Sequence, residues 1–419
     1  MLLIRGGHVY GAFSATADVL ISGDKIEKIA AKIEPTADME VLEAGGLIVA
    51  PGLVDLHVHF REPGFEYKED LLTGSAAAAA GGVTTCLCMP NTSPVADKPE
   101  IIEYILEKAK QAPIRVLTIG AVTRGQEGKV LTDFPALRAA GAAALSDDGL
   151  PIQSAALMRR ALQQAKSSGI TIISHCEDEE LACNHGVNEG EISKQLGIPG
   201  RPAIAEEIMV ARDAMLAAET GAHVHIAHVS TAASVDIIRK AKQNGVEITA
   251  ETCPQYFSLT EDEVLRQGSL ARVNPPLRTA YDVAEIIVGL ADGTIDAIAT
   301  DHAPHSVQEK SLPLTDAPSG MIGLETSLAL ALTYLYHTGK LGLEEVISLM
   351  STNPARILGL DAGTLVPGTS ADIVIFDPDE EWVVKPEKFL SRARNTPFGG
   401  MKLRGRVKHT ISRGILVFC

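Results

Sequence analysis

Between Ile48 and Pro304 the chain alternates short β-branched runs with amphipathic stretches rich in Ala, Glu, Lys and Leu. That alternation is the signature of βαβ units around a parallel sheet. Eight such runs can be read: LIVAPGLVDLHVHF (47 to 60), VTTCLCMP (83 to 90), IRVLTIGAVT (114 to 123), AAALSDDG (142 to 149), TIISHCED (171 to 178), HVHIAHVS (223 to 230), EITAETCP (247 to 254) and AIATDHAP (297 to 304). Eight βα repeats predict a (β/α)8 barrel. Seven of the runs carry His, Asp, Glu, Asn or Thr at or just past their carboxyl-terminal end, the rim on which such barrels build their sites.

The intervening helices are expected over EYKEDLLTGSAAAAAG, PEIIEYILEKAKQ, SAALMRRALQQAKSSG, AIAEEIMVARDAMLAAETG, TAASVDIIRKAKQNG and AYDVAEIIVGLADG, most of them closed by Gly or Asn-Gly. The two ends read differently. Residues 1 to 49 and about 361 to 419 are short strands punctuated by Gly and Asp, which predicts one small β-sandwich-like domain assembled from both termini around a barrel over 50 to 360.

Composition removes several function classes. A formal charge of −16 offers no basic field to nucleic acid or an anionic membrane. The start MLLIRGGHVYG has no charged leader before an apolar core, and no run approaches the eighteen or so apolar residues that span a bilayer. Six cysteines in 419 residues make no disulfide framework, so a cytoplasmic protein with reduced thiols is expected.

His57-Val58-His59 ends the first run, and residues i and i+2 of a strand share a face, so both imidazoles can reach one metal. Alone, such a pair is as readily two satisfied polar residues. The weight comes from coincidence: His175, His228 and Asp301 end runs five, six and eight at the same rim, and Asp147-Asp148-Gly149 ends run four. Imidazoles with carboxylates suit zinc, and less specifically manganese or iron. Two metals need a bridging anion, which an aspartate on run four is placed to supply. Alternation sets His223 and His225 opposite His228, towards the helices, and turns His302 away from Asp301. His8, His185, His337 and His409 read as structural or exposed.

Arg61 lies two residues past His59, on the same side, where a guanidinium fork can bind a carboxylate; the alternative is a surface ion pair with Glu62 or Asp70. Asn91, Asn274 and His305 fall in βα loops, where specificity groups concentrate, although each is also an ordinary turn residue. Asp301 has a second possible role, taking a proton from attacking water and returning it to a leaving nitrogen. The stretch SVQEKSLPLTDAPSG (306 to 320) reads as a lid or a partner surface.

The segment GLVDLHVHFREPGFEYKED, the strand-end patterns MPNT, LSDDG, SHCED, IAHVST, VNPPLR and ATDHAPH, the stretch APSGMIGLET and the tail PFGGMKLRGRVKHTISRG together resemble the bacterial dihydroorotases of the amidohydrolase superfamily. The resemblance spans essentially the whole chain. It implies a barrel with two divalent metal ions, zinc before others. His57 and His59 would bind one ion, His175 and His228 the other, with Asp301 completing the first. It implies Asp148 as the bridge in place of the carboxylated lysine of many relatives, and no Lys lies in run four. Arg61, Asn91, Asn274 and His305 would hold the substrate, the backbone near Ser319 and Gly320 would close over it, and Asp301 would be the general acid/base. The implied reaction is the reversible cyclisation of N-carbamoyl-L-aspartate to dihydroorotate in pyrimidine biosynthesis. The implied assembly is a homodimer and an association with aspartate transcarbamoylase.

Two positions depart from the pattern. Gln255 stands where relatives usually have His, and ETCP-x-Y is shared with allantoinases and hydantoinases; Ser319 replaces a common Phe. The alternatives are therefore an allantoinase, hydantoinase or dihydropyrimidinase, or a non-catalytic partner of a transcarbamoylase.

Overall fold

The computed structural model describes residues 1–10, 15–183 and 186–419. Eight parallel strands form the central sheet in chain order: Leu53–Val58, Val83–Cys88, Arg115–Gly120, Ala144–Leu145, Ile172–Ser174, Val224–Ile226, Ile248–Thr252 and Ala297–Ile298. Every strand is parallel to its neighbour, and a parallel bridge between Val58 and His302 brings the eighth beside the first. Asp55 fastens that seam. Its carboxylate accepts from Thr300 N at 3.1 Å and Thr300 Oγ1 at 2.6 Å, and from His57 N at 3.1 Å.

The expected helices form as Leu71–Ala80, Pro99–Ala109, Ala155–Ser168, Ile204–Thr220, Ala232–Gln243 and Ala280–Ala291, and a short unexpected one, Phe134–Ala139, joins strands three and four. The first starts later than its sequence period suggests, because Asp70 caps it by accepting from Leu72 N and Thr73 N and leaves residues 66 to 68 in a turn. Strand residues divide by parity. Val54, Leu56, Leu87, Ile119, Ala144, Ile173, Ala297 and Ala299 fill the barrel interior, while Cys86, Val116, Ile172, Val224 and Ile226 pack outward against the helices.

Strands from both termini make a second sheet. Its order runs from Ile415–Phe418 through Lys402–Ser412, Ile373–Val383, Ile48–Pro51, Leu2–Val9 and Ala15–Ser22 to Lys25–Ala30, with Glu40–Glu43 also paired to Leu2–Val9. It has its own core of Ile4, Val19, Ile21, Val49, Ile373, Ile375 and Ile411. The apolar run 47 to 60 is thus not one strand but two. Ile48–Pro51 joins the terminal sheet and Leu53–Val58 the barrel. Gly52 stands between them, where a Cβ would lie 2.1 Å from Thr84 Oγ1.

All six cysteines are free, and four are buried. Among the described residues no helix is long and apolar enough to cross a membrane.

Candidate active site

The first barrel strand is irregular at its end. Asp55 pairs with Cys86 but Val58 with Cys88, so one extra residue intrudes, and His57 and His59 both reach the barrel axis while Val58 packs outward. Strands four, five, six and eight bring Asp148, His175, His228 and Asp301 to the same point. Asp148 sits centrally. Its Oδ1 lies 3.3 Å from His175 Nδ1, 3.5 Å from His57 Nε2 and 3.5 Å from His228 Nε2, and its Oδ2 lies 3.5 Å from His59 Nε2. Asp301 Oδ1 is 3.1 Å from His59 Nε2 and 3.6 Å from His57 Nε2. The neighbouring Asp147 turns away, accepting from Val122 N at 2.8 Å and Thr123 N at 3.1 Å, which ties strand three to strand four.

Two sets of ligand atoms lie within 4.8 Å of one another, His57 with Asp148 and His228, and His57 with His59 and Asp301. His57 Nε2 and Asp148 Oδ1 are buried without a hydrogen-bond partner. Unpaired buried polar atoms are costly, and a lone pair and an anionic oxygen facing one spot are what a cation would satisfy. The donor set fits divalent metal. Burial pushes Asp148 up, but His57, His175 and His228 outweigh it and hold its carboxyl well below the usual range.

Three of the six described non-glycine residues with positive φ are here: Arg61 at 63°, His228 at 34° and Asp301 at 47°. Each such conformation costs about 1–3 kcal/mol, and is kept where the surroundings determine it.

The rim encloses a cavity of about 630 Å³ lined by His59, Asp148, His175, His228 and Asp301 and by each expected substrate residue, Arg61, Asn91, Asn274, His305, Ser319 and Gly320. Arg61 is not the surface ion pair with Glu62 or Asp70. Its Nε donates to Pro304 O at 3.3 Å, and burial lowers its pKa to about 10 against the pull of Asp301 and Asp148. Asn91 Oδ1 lies 2.9 Å from His59 Nδ1 and so orients that ring. His305 Nε2 donates to Ser319 O at 2.8 Å, and burial together with Arg61 and Lys68 holds the ring neutral with a pKa of about 2. Lys68 reaches across from the first βα loop to Glu309 in the eighth at 2.9 Å, tying the loop of Arg61 to the loop of His305.

Sequence parity fails for one strand. His225 and His223 face the barrel interior, not the helices. The strand ends at Ile226, and the left-handed turn at His228 returns that ring to the side that simple alternation denies it. His225 Nε2 lies 3.2 Å from Glu251 Oε2, and Glu251 Oε1 lies 2.9 Å from His57 Nδ1. Burial raises Glu251, yet the two imidazoles prevail and set its pKa at about 2. His223 lies one layer lower, its Nε2 2.9 Å from Thr249 Oγ1. His302 does turn away, its Nε2 3.5 Å from Glu69.

Glu251, Glu177 and Arg201 were not anticipated. Arg201 Nη1 donates to Glu177 Oε1 at 2.5 Å and also to Asn274 Oδ1; Glu177 Oε2 lies 3.6 Å from His175 Nε2 and accepts from Asn274 Nδ2 at 3.1 Å. SHCED and ETCP carried these acids in plain view; Glu177 meets the histidine of its own motif, but only the fold shows that Glu251 meets His57 and His225. Gln255 is buried in the short helix Pro254–Ser258 and is not among the cavity's lining residues, whereas Ser319 lines it and accepts from Arg272 Nε at 3.3 Å. His8 and His409 are partly buried in the terminal sheet, His337 donates to Pro378 O at 2.8 Å, and His185 lies outside the described residues.

Over 100% of its length the chain superposes on the L-hydantoinase (dihydropyrimidinase) of Arthrobacter aurescens, covering 96% of that chain with a TM-score of 0.90 at 27% identity. It matches the dihydropyrimidinase of Brevibacillus agri over 99% of its length and 94% of that chain, with a TM-score of 0.87 at 26% identity. A parallel barrel gathering four imidazoles and two aspartates at its carboxyl-terminal rim, on this background, defines a cyclic amidohydrolase. A family model described as dihydro-orotase-like matches residues 45–234. The chain is 51% identical to the dihydroorotase of Pelotomaculum thermopropionicum over 99% of its length and 98% of that protein, and 48% identical to the dihydroorotase of Clostridioides difficile over the whole of both. The chain belongs to the dihydroorotase family.

Proposed function

We propose that the protein interconverts N-carbamoyl-L-aspartate and dihydroorotate, with two divalent ions held by His57, His59, Asp148, His175, His228 and Asp301. The observation that carries this reading over hydantoin or dihydropyrimidine hydrolysis is identity near one half to full-length dihydroorotases, against 27% for the hydantoinase. Arg61 supports it independently, since dihydroorotate bears a ring carboxylate that hydantoin and dihydrouracil lack. When bound, the ions, zinc by the preference of this donor set, acidify water and polarise the ring carbonyl.

The chain's own groups do the rest. Arg61 and Asn91 hold the carboxylate, while His305, whose Nε2–H is donated to Ser319 O, fixes the Ser319–Gly320 backbone that closes the mouth. Asp301 takes a proton from the water that adds to the ring carbonyl carbon. As the ring C–N bond breaks, Asp301 delivers that proton to the departing nitrogen. Cyclisation runs the same transfers backwards. A cytoplasmic homodimer that docks on an aspartate transcarbamoylase completes the proposal.

The test is hydrolysis of dihydroorotate by zinc-reconstituted protein beside allantoin, hydantoin and dihydrouracil. Preference for any of the last three overturns the substrate assignment. The metal assignment is probed at Glu251. Because it orients His57 through Nδ1, Glu251→Gln is expected to weaken metal retention about 10–100-fold in chelator competition. Unchanged retention would remove Glu251 from the site.

A further inference from the structure

The eighth βα loop supplies Ala303, His305 and the run 315 to 320 to the cavity, and beneath it lies a cation that neither proton transfer nor carboxylate binding uses. Lys310 closes the short helix Val307–Lys310, which Ser306 and Glu309 cap, and its side chain is buried. The ammonium donates to Pro318 O at 2.9 Å, Gly320 O at 3.0 Å and Arg272 O at 3.4 Å, so each of its three donors has a carbonyl. Among the described residues no carboxylate lies within ion-pair distance of it. A buried ammonium without a counter-charge is costly, and burial together with the Arg272 guanidinium holds this one down at about 7.

The arrangement sorts the carbonyls of the loop. Pro318 O and Gly320 O turn inward to Lys310, while Ser319 O faces His305 Nε2. That bond assigns the proton to Nε2 and leaves Nδ1 as an acceptor, 3.4 Å from Lys68 Nζ. Gly320 N in turn donates to Arg272 O at 2.9 Å, so the backbone of the seventh loop is drawn into the same knot.

We propose that Lys310 is a positioning residue for substrate recognition: by gathering the carbonyls of Arg272, Pro318 and Gly320 it sets the Ser319–Gly320 backbone and the His305 ring where the substrate's carboxylate is held. The substrate half of this inference rests on the dihydroorotase reading, and the loop half does not. Lys310→Met keeps most of the stem and removes every donor. The expected result is a rise in KM for dihydroorotate of about tenfold or more, with kcat within about threefold and full metal content, and recovery of a large part of that loss in Lys310→Arg. Amide hydrogen exchange over 303 to 320 is expected to quicken in the Met variant. A wild-type KM, a fall confined to kcat, or unaltered exchange overturns the proposal. Should Lys310→Met not fold, Lys310→Gln is read in the same two ways. If the wild-type protein does not hydrolyse dihydroorotate, the substrate reading fails, and exchange alone judges the clamp.

Discussion

Asp301→Asn is expected to lower turnover of dihydroorotate by about 10³-fold, within the 10²–10⁴ range that positioned acid–base catalysis contributes. Asn is the informative replacement. Residue 301 sits at φ 47°, and Asn tolerates the left-handed region better than most residues, so the backbone and the neighbours of the side chain should persist. What is lost is the ability to take a proton. The carboxylate stands 3.1 Å from His59 Nε2 and is also placed to bind metal, so activity must be read beside metal content. A variant with full metal and collapsed kcat supports the shuttle. Activity within tenfold of wild type at full metal content would end it.

Arg61→Ala should separate substrates. Removing one member of a buried, charge-assisted carboxylate contact costs about 3–4 kcal/mol, so kcat/KM for dihydroorotate is expected to fall about 10²–10³-fold. Any turnover of dihydrouracil, which has no carboxylate to hold, should change little. The guanidinium lines the cavity beside His59 and His305, and among the described residues it donates to the Pro304 carbonyl at 3.3 Å and forms no ion pair. It is thus poised to take an incoming anion without first breaking an ion pair. A fall shared equally by both substrates, or dihydroorotate turnover within threefold of wild type, would show that Arg61 does not read the carboxylate.

The ligand-bearing residues legible in sequence, His57, His59, Asp148, His175, His228 and Asp301, share one property: each lies at or just past the carboxyl-terminal end of a barrel strand. His57 and His59 obey i, i+2 spacing even though the strand is irregular between Asp55 and Val58. His225 was misread for the complementary reason. Its own orientation follows the strand, but the reference point, His228, lies past the strand's end in a left-handed turn, where parity no longer counts. Arg201 and Glu251 were missed because their partners lie far away in sequence, whereas Glu177, two residues past His175, lay within reach of the same i, i+2 rule. Glu251 meets His57 across 194 residues, and Arg201 meets Asn274 across 73.

Local pattern therefore determined the eight-fold alternation, the β-rich ends, the ligand-bearing rim and the residues that the family motif carries, since periodicity and strand-end position are written within a few neighbouring residues. Only the tertiary structure decided which aspartate of the 147–148 pair faces the cavity and where the apolar run 47 to 60 breaks between two sheets. It also decided which acid orients which imidazole, and that Lys310 lies under the loop of Ser319 and Gly320. Those outcomes depend on closing the barrel. Closure, sealed where Asp55 holds Thr300, brings residues hundreds of positions apart within hydrogen-bonding distance, and no window of sequence contains that constraint.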